Sequence, residues 1–436
     1  MARSLYRHGS RAFGQAPVAG PQRPALVTAP EVRTADRATA SSSRSYLLYA
    51  GPFIMYVDRF SMGPMLIPIA RDLHRPFSAV AQMATAYFVL YGAMQVVYGL
   101  LSDRFGRVRL LRVASLGAGL AAILSAAAPG LTVLVIGRAL TAALICGLFP
   151  GALTYIGDRF PFQVRQRAVS DLLAVVAVGM AVANLGAGLL AADVSWRLGF
   201  LLPGLALLVL SFVLRRLPES LPEAGARPPL AQLRHLATRP WMVFLFLVTI
   251  PEGAAVLGFF TFLAPALEAR GTNPGAAGAV VAAYGLAVLL ATRGVKRATT
   301  RVRPHLLIAV GGGILLLGLV VAALTQSVAG VFVASVMCGL AYATMHSTFQ
   351  TWATEVAPES RGTATSLFPT AAFLGAGLCT TAMAGLADAE RYGELFWIGA
   401  ALTVPVVAVG AFGRWRFPEH DESDAGGEVI GGGIAG

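Results

Sequence analysis

Four charged side chains interrupt stretches that otherwise read as hydrocarbon. They are Asp58 and Arg59 in Tyr56-Val57-Asp58-Arg59-Phe60, Arg138 in Val135-Ile136-Gly137-Arg138-Ala139, and Glu252 in Ile250-Pro251-Glu252-Gly253. A charge in an apolar medium is costly, so each needs a partner or a water-filled space and each is a candidate for binding or proton transfer. A carboxylate near a fixed cation has its proton affinity reset by that charge and by desolvation. The chemistry on offer is proton uptake and release, or the holding of a charged solute; the other reading is an ion pair that orders packing. Successive helical residues point about 100° apart, so Asp58 and Arg59 cannot share one narrow face. At least one of them must meet another helix or a cavity. Asp58 is the preferred partner for Arg138, against a reading in which Arg138 bonds backbone carbonyls. Two polar stripes complete the inventory: Tyr87, Tyr91 and Gln95 at i, i+4, i+8, and His346 with Gln350 at i, i+4. These are candidates to line a pocket for an amphipathic solute, while His346 and Asn184 also read as packing residues.

The medium that must hold these residues is a bilayer. Apolar residues make up 56% of the 436-residue chain and charged residues only 13%, and mean hydropathy is +0.67. A soluble chain carries about a quarter charged residues, so this one cannot cover itself in water. The net charge of +12 is spread singly through the connections between apolar runs, which argues for membrane topology and against nucleic-acid binding. Cys146, Cys338 and Cys379 each lie inside an apolar run with no metal-ligand spacing, so they read as packing residues and neither a metal nor a cofactor is expected. Gly117-x-Gly119-x-x-Ala122 imitates a dinucleotide fingerprint but has no preceding strand. No catalytic constellation is present, and the chain is not expected to be an enzyme.

A bilayer core needs ~20 mostly apolar helical residues. Such runs fall near 46–70, 77–101, 110–128, 131–156, 168–191, 197–214, 241–266, 275–293, 305–325, 328–353, 363–387 and 393–413. With both termini placed inside, 27 of the 34 basic residues fall in inner segments and five in outer loops, as the positive-inside rule requires. A Pro-rich connection at 215–240 divides six runs from six. The reading is thus a tail at 1–44, a bundle at 45–214, a linker at 215–240, a second bundle at 241–413 and a tail at 414–436. Leu185-Gly186-Ala187-Gly188-Leu189 recurs six runs later as Leu374-Gly375-Ala376-Gly377-Leu378, which supports two parallel halves. Asp58 and Glu252 fall at similar depth in the corresponding first and seventh runs, and Pro251 and Gly253 should weaken the helix beside Glu252.

One connection carries a more specific signal. Gly99-Leu100-Leu101-Ser102-Asp103-Arg104-Phe105-Gly106-Arg107-Val108-Arg109 reads as a charged, glycine-bounded turn. It resembles the loop-two motif of the major facilitator superfamily of secondary transporters. Ser195-Trp196-Arg197-x-x-Phe200 and Pro358-Glu359-Ser360-Arg361-Gly362 resemble further elements of that family, and the stretch around Arg138 resembles its helix-four motif. The resemblance implies an all-α polytopic membrane protein: the major facilitator fold, with 12 transmembrane helices in two pseudo-symmetric six-helix bundles. It implies a conformational switch formed by Gly99, Asp103, Arg104, Gly106 and Arg107, and proton coupling at Arg138. Two departures matter. Gly179-x-x-x is followed by Asn184 where antiporters of the family place Gly-Pro, and the second-half counterpart Arg293-Gly294-Val295-Lys296-Arg297 lacks the aspartate.

The expectation is a secondary active transporter in a cell (inner) membrane, working by alternating access as a monomer. Its partners are a small-molecule substrate, protons and lipid, with no nucleic acid. The favoured reading is proton-coupled efflux of a small amphipathic or cationic solute. The alternative is proton-symport uptake of a sugar or organic acid, with Arg59 and Arg138 binding an anion. A transport-silent receptor or scaffold stands third.

Overall fold

The computed structural model describes residues 45–219, 234–298, 301–358 and 361–418. The expected tail at 1–44, the central part of the linker and the last residues of the chain lie outside them. The described residues form twelve traverses. α1 is Ser45–Phe60, resuming as Leu66–Asp72. α2 is Phe77–Phe105, α3 Arg107–Ala126, α4 Leu131–Ile145 with Leu148–Arg159, α5 Phe162–Asp193 and α6 Trp196–Val213. α7 runs from Pro240–Gly253 through a wide π turn, Ala254–Gly258, and a tight turn, Phe259–Phe262, to Leu263–Glu268. α8 is Pro274–Val281 with Ala283–Ala298, and α9 is Pro304–Leu324. α10 is Val328–Ala341, a π turn at Tyr342–His346 and Ser347–Val356. α11 is Arg361–Asp388 and α12 is Tyr392–Arg416.

Eleven of these helices are long and apolar enough to cross a bilayer. The exception is α1, expected as one run over 46–70. Gly63-Pro64-Met65 forms a tight turn there, because proline supplies no N–H to continue the ladder. The lipid-facing surface is written at helical spacing. Leu116, Leu120 and Leu124 on α3, and Val178, Val182, Leu185 and Leu189 on α5, are all exposed apolar side chains. Such continuous apolar surface marks contact with a membrane or a partner.

Two sets of connections gather at opposite ends. At the far end, away from the chain termini, Arg197 donates to Asp72 (2.7 Å) and to the Ala128 carbonyl (3.2 Å). Trp196 Nε1 donates to the same Asp72 carboxylate at 3.0 Å. These donors hold the Asp72 carboxyl below its ordinary range. At the terminal end Arg107 pairs with Asp158, and Arg414 with Glu355. Each of these terminal-end pairs joins two traverses of the same half.

The halves meet through α2 against α11 and α5 against α8. Ser78 N donates to Asp388 Oδ1 (2.9 Å), Thr85 bonds Thr380 (2.8 Å), and Thr370 Oγ1 donates to the Gly92 carbonyl (2.8 Å). The repeated glycines explain the close approach. A Cβ at Gly188 would sit 2.4 Å from the Pro274 carbonyl oxygen, and one at Gly377 2.8 Å from the Val89 side chain. The second glycine of each copy therefore serves the interface between halves. The first glycine does not repeat its role, since Gly375 packs against the Ile250 carbonyl while Gly186 faces open space.

Gly375→Ala should therefore destabilise the purified protein by about 1–3 kcal/mol through overpacking, whereas Gly186→Ala should leave its melting temperature unchanged. The Asp72 link has a defined sign. A depressed carboxylate contributes stability above its unfolded pKa and loses it as pH falls through the folded value. The stability difference between the native chain and Asp72→Asn should stay constant from pH 7 to 5 and shrink below about pH 4, where carboxylates protonate. Thermal melts of both proteins across that range check this.

Candidate functional site

Asp58 and Arg138 form a bidentate pair. Arg138 Nη1 donates to Asp58 Oδ1 at 2.8 Å and Nη2 to Oδ2 at 2.6 Å, with both side chains fully buried. Planar forks of this kind are the strongest charge-assisted hydrogen bonds. The Arg138 guanidinium lies 4.9 Å from the Tyr87 ring centre and 4.4 Å from that of Phe200. The Phe200 ring comes from the Trp-Arg-x-x-Phe element at the start of α6. Gly137 admits α3 next to the arginine, since a Cβ there would fall 2.6 Å from Ser125 Oγ.

Arg59 points elsewhere, as its position one residue on from Asp58 requires. It is 4% exposed, and its guanidinium sits among the rings of Tyr56 (4.1 Å), Phe60 (4.9 Å), Phe373 (5.0 Å) and Tyr91 (5.5 Å). Its Nε has no hydrogen-bond partner, and among the described residues no carboxylate pairs with it. Aromatic faces attract a cation through their quadrupoles but do not neutralise it. A cavity with about 30 Å³ of water-accessible space lies beside Arg59, lined also by Phe88, Asn184, Phe260, Thr261 and Phe373. It has room for about one or two waters.

Glu252 is fully buried on α7, immediately before the π turn. Its Oε1 is 2.9 Å from His346 Nδ1, and its Oε2 has no partner. His346 closes the corresponding π turn of α10, stacked on Tyr342 at 4.5 Å and against Phe368 at 5.0 Å. Single π turns inside helices are frequent at functional sites, and here two of them present an acid–imidazole pair. Weakening of α7 beside Pro251 and Gly253 is what the structure has.

The remaining expected residues divide. Tyr87 and Tyr91 stack at 6.0 Å; the Tyr87 hydroxyl has no partner, and the Tyr91 hydroxyl meets Met55 Sδ at 3.4 Å. Gln95 donates to the Cys146 carbonyl at 3.3 Å, at the break in α4, so it is tied to the scaffold. Gln350 is half-buried one turn beyond His346. Residues with no individual sequence signal complete the site: Phe373 and Phe260 arrive from the other half. Tyr56 and Phe60 flank Arg59 at i−3 and i+1, a spacing legible in the chain.

The switch segment needs correction. It does not form a turn from residue 99; α2 remains helical to Phe105 and only Gly106, at φ +86°, separates it from α3. Glycine takes that left-handed conformation without steric cost. Glu219 fills the space beside it, accepting from Val108 N (2.8 Å) and Arg109 N (2.9 Å). A carboxylate there satisfies orphan N–H groups at a positive helix end. Arg107 pairs with Asp158, while the side chains of Gly99, Asp103 and Arg104 lie outside the described residues.

A twelve-traverse bundle with its charges at mid-depth and paired helices across two halves defines the class of polytopic carriers. The chain belongs to the Major Facilitator Superfamily, a family of non-enzymatic carriers, whose family model matches residues 48–380 and 258–429. It is 33% identical over 153 residues to the puromycin resistance protein pur8 of Streptomyces alboniger, covering 35% of this chain and 30% of that one. It is 32% identical over 127 residues to the niacin transporter NiaP of Acinetobacter baylyi, covering 29% of each. The chain thus matches under a third of the length of these two relatives. A solved bacterial homologue of the human lysosomal transporter Spinster, in an inward-facing and unoccupied conformation, superposes with a TM-score of 0.70 at 19% identity over 86% of this chain and 97% of that one.

The fully buried pair gives a test. Asp58→Asn leaves Arg138 charged and alone, which should destabilise the protein by about 3–5 kcal/mol. Adding Arg138→Gln should recover much of that loss in thermal melts, because removing both charges costs less than stranding one.

Proposed function

We propose that the chain is a proton-coupled secondary transporter whose solute is a small organic anion with an apolar body. The observation that carries this reading is the Arg59 cage. Of the four central charges, Asp58 is neutralised by Arg138 and Glu252 is engaged by His346, which leaves Arg59 in rings without a counter-charge. A carboxylate or sulfonate would supply it, and the rings would pack the apolar remainder. A cationic solute finds less support here, since Asp58 is paired with Arg138 and one oxygen of Glu252 is taken by His346.

The coupling sign follows from the same charges. Ring contacts run from His346 through Tyr342, Tyr284 and Phe60 to Arg59. A proton on the Glu252–His346 pair adds positive charge to this poorly screened region and strengthens anion binding. Proton and anion then bind together, which is the logic of symport. The halves 45–214 and 241–413 would rock about this centre. Contacts of α2 with α11 and of α5 with α8 toward the far end support a reading with access from the terminal end, and the basic-residue bias supports the cytoplasm as that side. A second reading is proton-antiport efflux of an amphipathic cation, and its efflux direction draws support from the similarity to the puromycin resistance protein.

Proteoliposomes challenged with monocarboxylates, sulfonates and quaternary ammonium solutes separate the two. Carboxylates or sulfonates should drive proton entry. Arg59→Gln should weaken their binding at least tenfold, and Glu252→Gln should preserve binding while abolishing its pH dependence. Proton movement driven by the ammonium solutes alone would overturn the anion reading.

A further inference from the structure

A vestibule of about 700 Å³ opens at the far end of the bundle. The first half contributes Arg71, Arg75 and Phe77 to its wall, and the second half Glu268, Asp388 and Tyr392. Glu268 ends α7 and is 3% exposed, and neither of its carboxylate oxygens has a hydrogen-bond partner. The charged and titratable groups around it are Arg71 in the last turn of α1 and Arg75 after it, Asp388 at the end of α11 and Glu390 after it, and Tyr392 at the start of α12. Asp388 is occupied by the Ser78 backbone N–H. Arg71 acts on Glu268 through its charge, but among the described residues the two form no ion pair.

A carboxyl group buried without a partner is far less costly as the neutral acid than as the anion. Its wall position lets it exchange with solution on the far side. We propose that Glu268 is a second proton-binding site, loaded from the far side, whose protonation closes the two halves at that end. The proposal rests on the proton-coupled reading above and adds a site to it. The closed state buries Glu268 beside the α2–α11 contact, so it binds the proton more tightly than an open state in which the carboxylate is hydrated. Linkage then fixes the direction: acid on the far side raises the closed population, and alkali lowers it. The shift can be no larger than the ratio of proton affinities of the two states.

Spin labels at Val194→Cys, after α5, and Thr272→Cys, before α8, report the far-end separation in nanodiscs between pH 5 and 9; the three native cysteines are buried. The native protein should move from short to long distances as pH rises, with a one-proton slope. Glu268→Gln should remain short throughout, and Glu394→Gln, at an exposed acid of the same end, should titrate like the native protein. Arg71→Gln removes the neighbouring cation and should move the midpoint at least half a pH unit upward. This provides an independent arm if Glu268→Gln does not fold. Identical titration of the native and Glu268→Gln proteins, or no titration in the native protein, overturns the proposal. Far-end titration that depends on Glu268, in a protein whose transport ignores the proton gradient, would uphold this site and reject the coupling reading.

Discussion

In a hydrocarbon medium an unpaired charge is too costly to leave unanswered, and the Asp58–Arg138 pair is where this chain meets that constraint most completely. The pair ties α1 to α4 inside the first half. It takes the buried carboxylate of α1 out of play and turns the next residue, Arg59, toward the second half. The aromatic cage, the small cavity and the location of free positive charge all follow from that division of labour between two adjacent residues.

The second half solves the same problem differently. Glu252 is met by an imidazole rather than a guanidinium, and one of its oxygens stays unanswered. A guanidinium keeps its charge under all conditions, whereas an imidazole gains and loses a proton near neutrality. One half therefore sets its buried acid against a guanidinium and the other against an imidazole. Two π turns, in α7 and α10, set this second pair at the break points of their helices, where small rearrangements of backbone are least costly.

Contacts between the halves rest on small residues and single hydrogen bonds instead of the ion pairs found within each half. Gly188 and Gly377 occupy equivalent places in the repeat and allow α8 and α2 respectively to approach closely. Hydroxyl contacts through Thr85 and Thr370 accompany them. Contacts of this kind separate without breaking an ion pair. At the terminal end the opposite rule holds: Glu219, Arg107 and Asp158 bind α3, α4 and the end of the first half into one unit.

Composition and periodicity were sufficient for the all-helical membrane architecture, because the apolar runs and the basic connections are local properties of the chain. The loop after α2 and the repeated Leu-Gly-Ala-Gly-Leu were enough for the family. The Asp58–Arg138 partnership was also legible, since few charges exist at that depth to choose among. What the chain alone left open was which charges would cancel. That depended on side-chain direction across helices up to 94 residues apart, as for Glu252 and His346, and on rings brought from the other half. Glu268 was invisible for the same reason: in sequence it is an acid at a helix end, where water is expected. Only the packing of α1, α7, α11 and α12 around it takes that water away.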